Sequence, residues 1–134
     1  MQIDKVNGSL DISMSGLRAH SKNIEVISSN VANSRTSDAG KGEPYRRLEA
    51  KFKALDDGVA GVAIDKIMTD SSEFDKILDP GNPNADEQGY VLMPNVNLPE
   101  EMMNLSIATR AYQANTAVMK RYQKMVETTL ELLR

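Results

Sequence analysis

Residues 99–134 read PEEMMNLSIATRAYQANTAVMKRYQKMVETTLELLR. Pro99 suits a first helical position, where its missing N–H costs nothing, and Glu100 and Glu101 follow where the helix dipole favours negative charge. Leu105, Tyr112, Met119, Val126 and Leu133 then recur every seven residues, with Ala111, Val118, Met125 and Leu132 as the adjacent row. No Gly or Pro interrupts 100–134. At 1.5 Å per residue such a run makes about 50 Å of helix, too long for the side of a small globule. Its spacing is that of a coiled-coil helix.

A partner for that helix lies at the other end of the chain. Leu10, Leu17, Ile24 and Val31 also fall seven apart, widened by Met14 and Ile27. Ser13, His20, Ser21 and Ser28 hold other core-facing slots, so this stripe is narrow. Ser29–Asn33 has poor helix propensity and ends the element. The shared period predicts that the two helices pair, and the expected arrangement is an antiparallel coiled coil, with Leu10, Leu17, Ile24, Val31, Leu105, Tyr112, Met119, Val126 and Leu133 packing within and between subunits. A plain helical hairpin in a monomer is the alternative. Two helices of this size, however, cannot bury both apolar faces on each other.

Residues 35–98 separate the helical parts (1–34 and 99–134) and hold Gly40, Gly42, Gly58, Gly61, Gly81 and Gly89 with Pro44, Pro80, Pro83 and Pro94. Short β-type runs stand between them at Tyr45–Leu55, Gly58–Met68, Phe74–Leu78 and Gly89–Met93. Asp79-Pro80-Gly81-Asn82-Pro83-Asn84 is a turn cluster. The expected fold is mainly α with a small, open, irregular β region between two long helices.

Composition narrows the function. The 134 residues carry 16 basic and 19 acidic groups, net −3, and nearly all the acidity falls in 58–99, where two bases face seven acids. A pI near 5.2 argues against a nucleic-acid backbone as main partner. The longest apolar run, Val59–Ile64, contains Gly61 and is far too short to span a bilayer. The beginning of the chain lacks the basic and apolar regions of a cleavable signal peptide. With no Cys, disulfides and thiolate chemistry are absent; eight Met against no Trp is an adaptable, weakly specifying apolar set.

No catalytic constellation emerges. His20 is the one His and has no carboxylate pair beside it. Gly40-Lys41-Gly42 lacks the spacing of a phosphate loop, and the oxygen donors of Asp79–Glu87 do not follow the alternation of a calcium loop. Arg46, Arg47, Lys51 and Lys53 form a basic cluster that reads either as a solvated strand face or as an interface toward an acidic neighbour.

Ser15-Gly16-Leu17, followed by Ile27-Ser28-Ser29-Asn30-Val31-Ala32-Asn33-Ser34-Arg35-Thr36, resembles the N-terminal signature of bacterial flagellar rod and hook proteins. Tyr112-Gln113-Ala114-Asn115 resembles that family's C-terminal signature. Pro44-Tyr45-Arg46-Arg47, Asp79-Pro80-Gly81 with Pro83-Asn84-Ala85, and Pro94-Asn95-Val96-Asn97 before Glu100-Glu101-Met102 are similar to the proximal-rod C-type (FlgC-type) branch. Pro99 and the basic Lys120–Lys124 stretch depart from it. The resemblance implies a non-enzymatic structural subunit without cofactor or metal, polymerising helically around an export channel and transmitting torque. It implies as partners other copies, other proximal-rod subunits, the rod-adaptor and membrane-ring end, the distal rod, and the flagellar type III export machinery. It implies neither nucleic-acid binding nor membrane insertion, and places the chain in the periplasmic rod of the basal body, exported without a cleaved signal peptide. The residues it singles out are Ser29, Asn30, Ala32, Asn33, Thr36, Pro44, Tyr45, Arg46, Arg47, Pro94, Asn95, Asn97, Glu101, Tyr112, Ala114 and Asn115. A secreted coiled-coil adaptor or effector-like binding protein is the alternative.

Overall fold

The computed structural model describes residues 3–40, 42–55 and 61–133, with side chains from Gly8 onward. Two helices dominate it: α1 (Ile3–Ala32) and α2 (Leu98–Leu132). α1 ends in the Ser29–Asn33 stretch, where short polar side chains turn back on the backbone: Asn33 Nδ2 donates to Ser29 O at 2.9 Å and Ser34 Oγ to Val31 O at 2.9 Å. α2 opens on Asn97, whose Oδ1 accepts from the Glu100 N–H at 3.3 Å, with Pro99 in the first turn and Glu100 and Glu101 beside it.

The helices run antiparallel. Asn30 near the end of α1 meets Glu101 at the start of α2, and Gly16 meets Asn115 two heptads along. The tightest row of contact lies beside the larger apolar residues. On α1 the buried positions are Ser13, Gly16, Ala19, Val26, Ile27 and Asn30; on α2 they are Glu101 and Ala108, continued by half-buried Asn115 and Tyr122. Leu10, Leu17, Ile24, Val31, Leu105 and Met119 flank that row half-buried, while Tyr112, Val126 and Leu133 are exposed. Ser13 and His20 do face the packing; Ser21 and Ser28, expected in the seam, are exposed.

Between the helices, β1 (Leu48–Leu55) pairs antiparallel with β2 (Gly61–Thr69), and β3 (Asp75–Leu78) with β4 (Tyr90–Met93). β1 alternates apolar Leu48, Ala50, Phe52 and Ala54 with charged Glu49, Lys51 and Lys53, which is the period of a one-sided ribbon. Its register shifts between Lys51 and Phe52, where Asp65 of β2 has no counterpart. All four expected runs contain a strand; Gly58–Ala60 lie outside the described residues. The small β region is two separate two-stranded ribbons. The β3–β4 connection is a chain of tight turns closed at Gly89, whose φ of 82° only Gly adopts freely. The β1–β2 ribbon leans on α1: Ser15 Oγ accepts from the Val62 N–H at 3.1 Å, and Gly61 approaches so closely that a Cβ there would stand 2.8 Å from Ser15 Oγ.

Candidate functional site

The three parts of the chain meet in a polar clasp at the end of the helix pair. At its centre are Asn30 and Glu101, each only 1% exposed. Asn30 Nδ2 donates to Glu101 Oε2 at 3.0 Å and to Leu48 O at 2.8 Å. Asn30 Oδ1 accepts from Leu48 N at 2.9 Å and from Tyr45 Oη at 3.0 Å, and Tyr45 Oη also lies 3.2 Å from Ser29 Oγ. The second Glu101 oxygen takes Arg47 Nε at 2.7 Å. Arg47 reaches Asp70 at 3.5 Å, and its backbone N–H is held by Asn95 Oδ1 at 2.9 Å. Asn95 Nδ2 in turn donates to Ser72 Oγ at 2.8 Å. Arg46 donates to Asp70 O and Ser72 O and lies 4.1 Å over the Phe74 ring.

Each buried carboxylate and amide in this cluster is answered, as a low-dielectric interior requires. Burial alone would lower the Arg47 pKa, but the Glu101 hydrogen bond and the charges of Glu101 and Asp70 reverse this and raise it. Asp70 is held below an ordinary carboxyl, first by the Ser72 backbone N–H, then by the Ser72 hydroxyl, with Arg47 adding a smaller pull. Such a buried pair contributes little net stability against an apolar equivalent; what it supplies is register. Only one alignment of α1 on α2 brings Asn30 against Glu101.

Seven of the sixteen motif residues meet here. Ser29, Asn30, Tyr45, Arg47, Asn95 and Glu101 share the clasp, with Arg46 at its rim. Asn33 and Thr36 shape the turn after α1, Thr36 Oγ1 donating to Asn33 Oδ1 at 3.2 Å. Pro44 and Pro94 are buried, and Asn97 caps α2. Asn115 lies at Gly16, where a Cβ would come within 2.6 Å of its Nδ2, so a second pair of motifs meets across the helices. Ala32, Tyr112 and Ala114 are exposed and belong to neither contact. The arginine reading needs correction: Arg46 and Arg47 are tied inward, and only Lys51 and Lys53 remain on the solvated face. Asp70 and Ser72 were not singled out from the sequence, although Asp-Ser-Ser after a strand is the signature of the turn in which Asp70 Oδ1 accepts from Ser72 N.

Both ends of the clasp fall in stretches with known relatives. Residues 10–37 match the model described as Flagella basal body rod protein, and 87–132 that described as Flagellar basal body rod FlgEFG protein C-terminal. A protein of Agrobacterium fabrum named flagellar basal-body rod protein FlgC is 38% identical, covering 98% of each chain. The chain belongs to the FlgC family of flagellar basal-body rod proteins. A FlgC of Salmonella typhimurium is 38% identical over 91% of this chain and 93% of its own. One of Borreliella burgdorferi is 36% identical over 93% and 95%. In this FlgC-family chain the clasp joins the two family-model stretches through Tyr45, Arg47 and Asp70, which lie between them. Among the described residues no three His, Asp or Glu side chains are grouped to hold a metal, and no helix is long and apolar enough to cross a membrane.

Proposed function

We propose that this chain is a structural, non-catalytic subunit of the proximal rod of the flagellar basal body, joining the membrane-ring end to the distal rod and transmitting torque. It reaches the rod through the flagellar type III export machinery, and there meets copies of itself and unlike rod subunits in the periplasm. The supporting observation is an imbalance of burial. Among the described residues Ala19, Val26, Ile27, Val91 and Ala108 are buried together with Pro44 and Pro94, seven apolar side chains in all, while twenty large apolar ones are exposed. On α2 four of the ten exposed ones form one row. At 3.6 residues per turn Ile107, Val118, Met125 and Leu132 fall on one flank, with Ala114 among them. A second apolar row, exposed from Ile107 to Leu132, is what a lattice of neighbouring helices covers. The parts suit a division into a helical rod core (1–34 and 99–134) and a middle unit (35–98). Isolated basal bodies test this: the chain copurifies with the rod, and a strain lacking it builds no distal rod. Complete rods without the chain would refute the assignment.

A further inference from the structure

The outer edge of β1 is an unfinished ladder. Leu48 turns its N–H and C=O away from β2 and bonds both to the Asn30 side chain, so an amide already occupies the first rung. Alternate residues of an antiparallel strand direct both backbone groups the same way, which makes Ala50, Phe52 and Ala54 the next rungs. Among the described residues β1 pairs with β2 alone. The edge borders a groove of about 290 Å³ between α1, α2 and β1, walled by Phe52 and Ile107, which are 43% and 59% exposed. The same groove holds His20, whose Nδ1 is buried without a hydrogen-bond partner. The rungs at Ala50, Phe52 and Ala54 face this groove, away from β2.

β3 has the complementary features. Among the described residues it pairs with β4 alone, and it is exposed at all four positions, Ile77 and Leu78 at 50% and 60%. A two-stranded ribbon of four-residue strands is marginal by itself. β1 presents Lys51 and Lys53 to solvent with Glu49, which pairs with Lys51 at 2.9 Å, and so carries a net +1; β3 contains Asp75 and follows Glu73, and across 73–87 five acids stand against Lys76 alone.

We infer that β3 of one copy adds to the open edge of β1 in another, forming a four-stranded sheet in the order β2, β1, β3, β4 across two chains. This rests on the reading of the chain as a self-assembling rod subunit. Backbone hydrogen bonds supply the pairing, and the lysine and acid rows select the edge. Because the two edges differ, the contact is head-to-tail and continues from copy to copy.

The absence of native Cys makes the test direct. Ala50→Cys is co-produced with Lys76→Cys, Ile77→Cys or Leu78→Cys on a second copy, and isolated basal bodies are oxidised. A disulfide-linked dimer is expected with at least one of the three, and none when either cysteine stands alone. Basal bodies containing both variants but no such dimer would overturn strand addition and leave rod membership intact. Basal bodies lacking even the unaltered chain would instead overturn the rod reading. Should the cysteine variants fail to incorporate, charge exchange decides. Lys51→Glu with Lys53→Glu lowers incorporation about tenfold, equivalent to about 1.4 kcal/mol, and adding Glu73→Lys with Asp75→Lys restores it. No loss, or no rescue, would overturn the pairing.

Discussion

Asn30 makes four hydrogen bonds from one buried amide, two of them to the backbone of Leu48 as a neighbouring strand would. Asn30→Ala leaves Leu48 N–H, Leu48 C=O and a Glu101 oxygen short of partners. A loss of about 3 kcal/mol or more is expected in urea melts of the purified chain. Asn30→Asp should cost more, because it removes both donors and sets a second carboxylate against Glu101. Asp70 adds a pH term. Its folded pKa is lowered below 3.8, so its contribution is complete above that value and is lost as pH falls through the folded value. The urea midpoint should therefore drop on acidification below about pH 4, and drop less in Asp70→Asn. The side chains of the clasp could be named from the sequence, since Asn30, Tyr45, Arg47, Asn95 and Glu101 all lie in motifs. That they bond one another could not, because Asn30 and Glu101 are 71 residues apart and neither carries a local signal of burial.

At the scale of the elements, heptad spacing was enough to place both helices and to pair them. It was not enough to choose among adjacent rows. Hydropathy favours Leu105, Tyr112, Met119 and Val126, but the closest approach falls on Glu101, Ala108 and Asn115 against Gly16 and Asn30, where small side chains and one polar pair let the helices draw together. Gly16→Val should destabilise the pair by about 1–3 kcal/mol through overpacking, and Asn115→Ala in the same chain should recover part of that, measured as a double-mutant cycle. The outer row behaves differently. Val118→Asp lies on the exposed flank, so the melting of the purified chain should barely change, within about 0.5 kcal/mol. Incorporation into basal bodies should be lost, because in the rod that carboxylate would be buried unpaired. Incorporation at the normal level would show that neighbours do not cover this flank.

The described molecule is a pair of long helices with two small ribbons between them in the chain, one of which packs on α1, and its apolar surface is only partly its own. The eight methionines fit that state. Met102, Met103 and Met125 on α2 are 54%, 59% and 50% exposed, and an unbranched thioether repacks against unlike neighbours more readily than an aromatic ring. Methionine is also a reporter, since exposed thioethers oxidise to sulfoxides. The most direct measurement compares peroxide oxidation of Met125 in the free chain and in isolated basal bodies, read by mass spectrometry. Burial of the outer row of α2 by neighbouring subunits predicts that Met125 oxidises about tenfold more slowly in the basal body. Equal rates in the two states would contradict it.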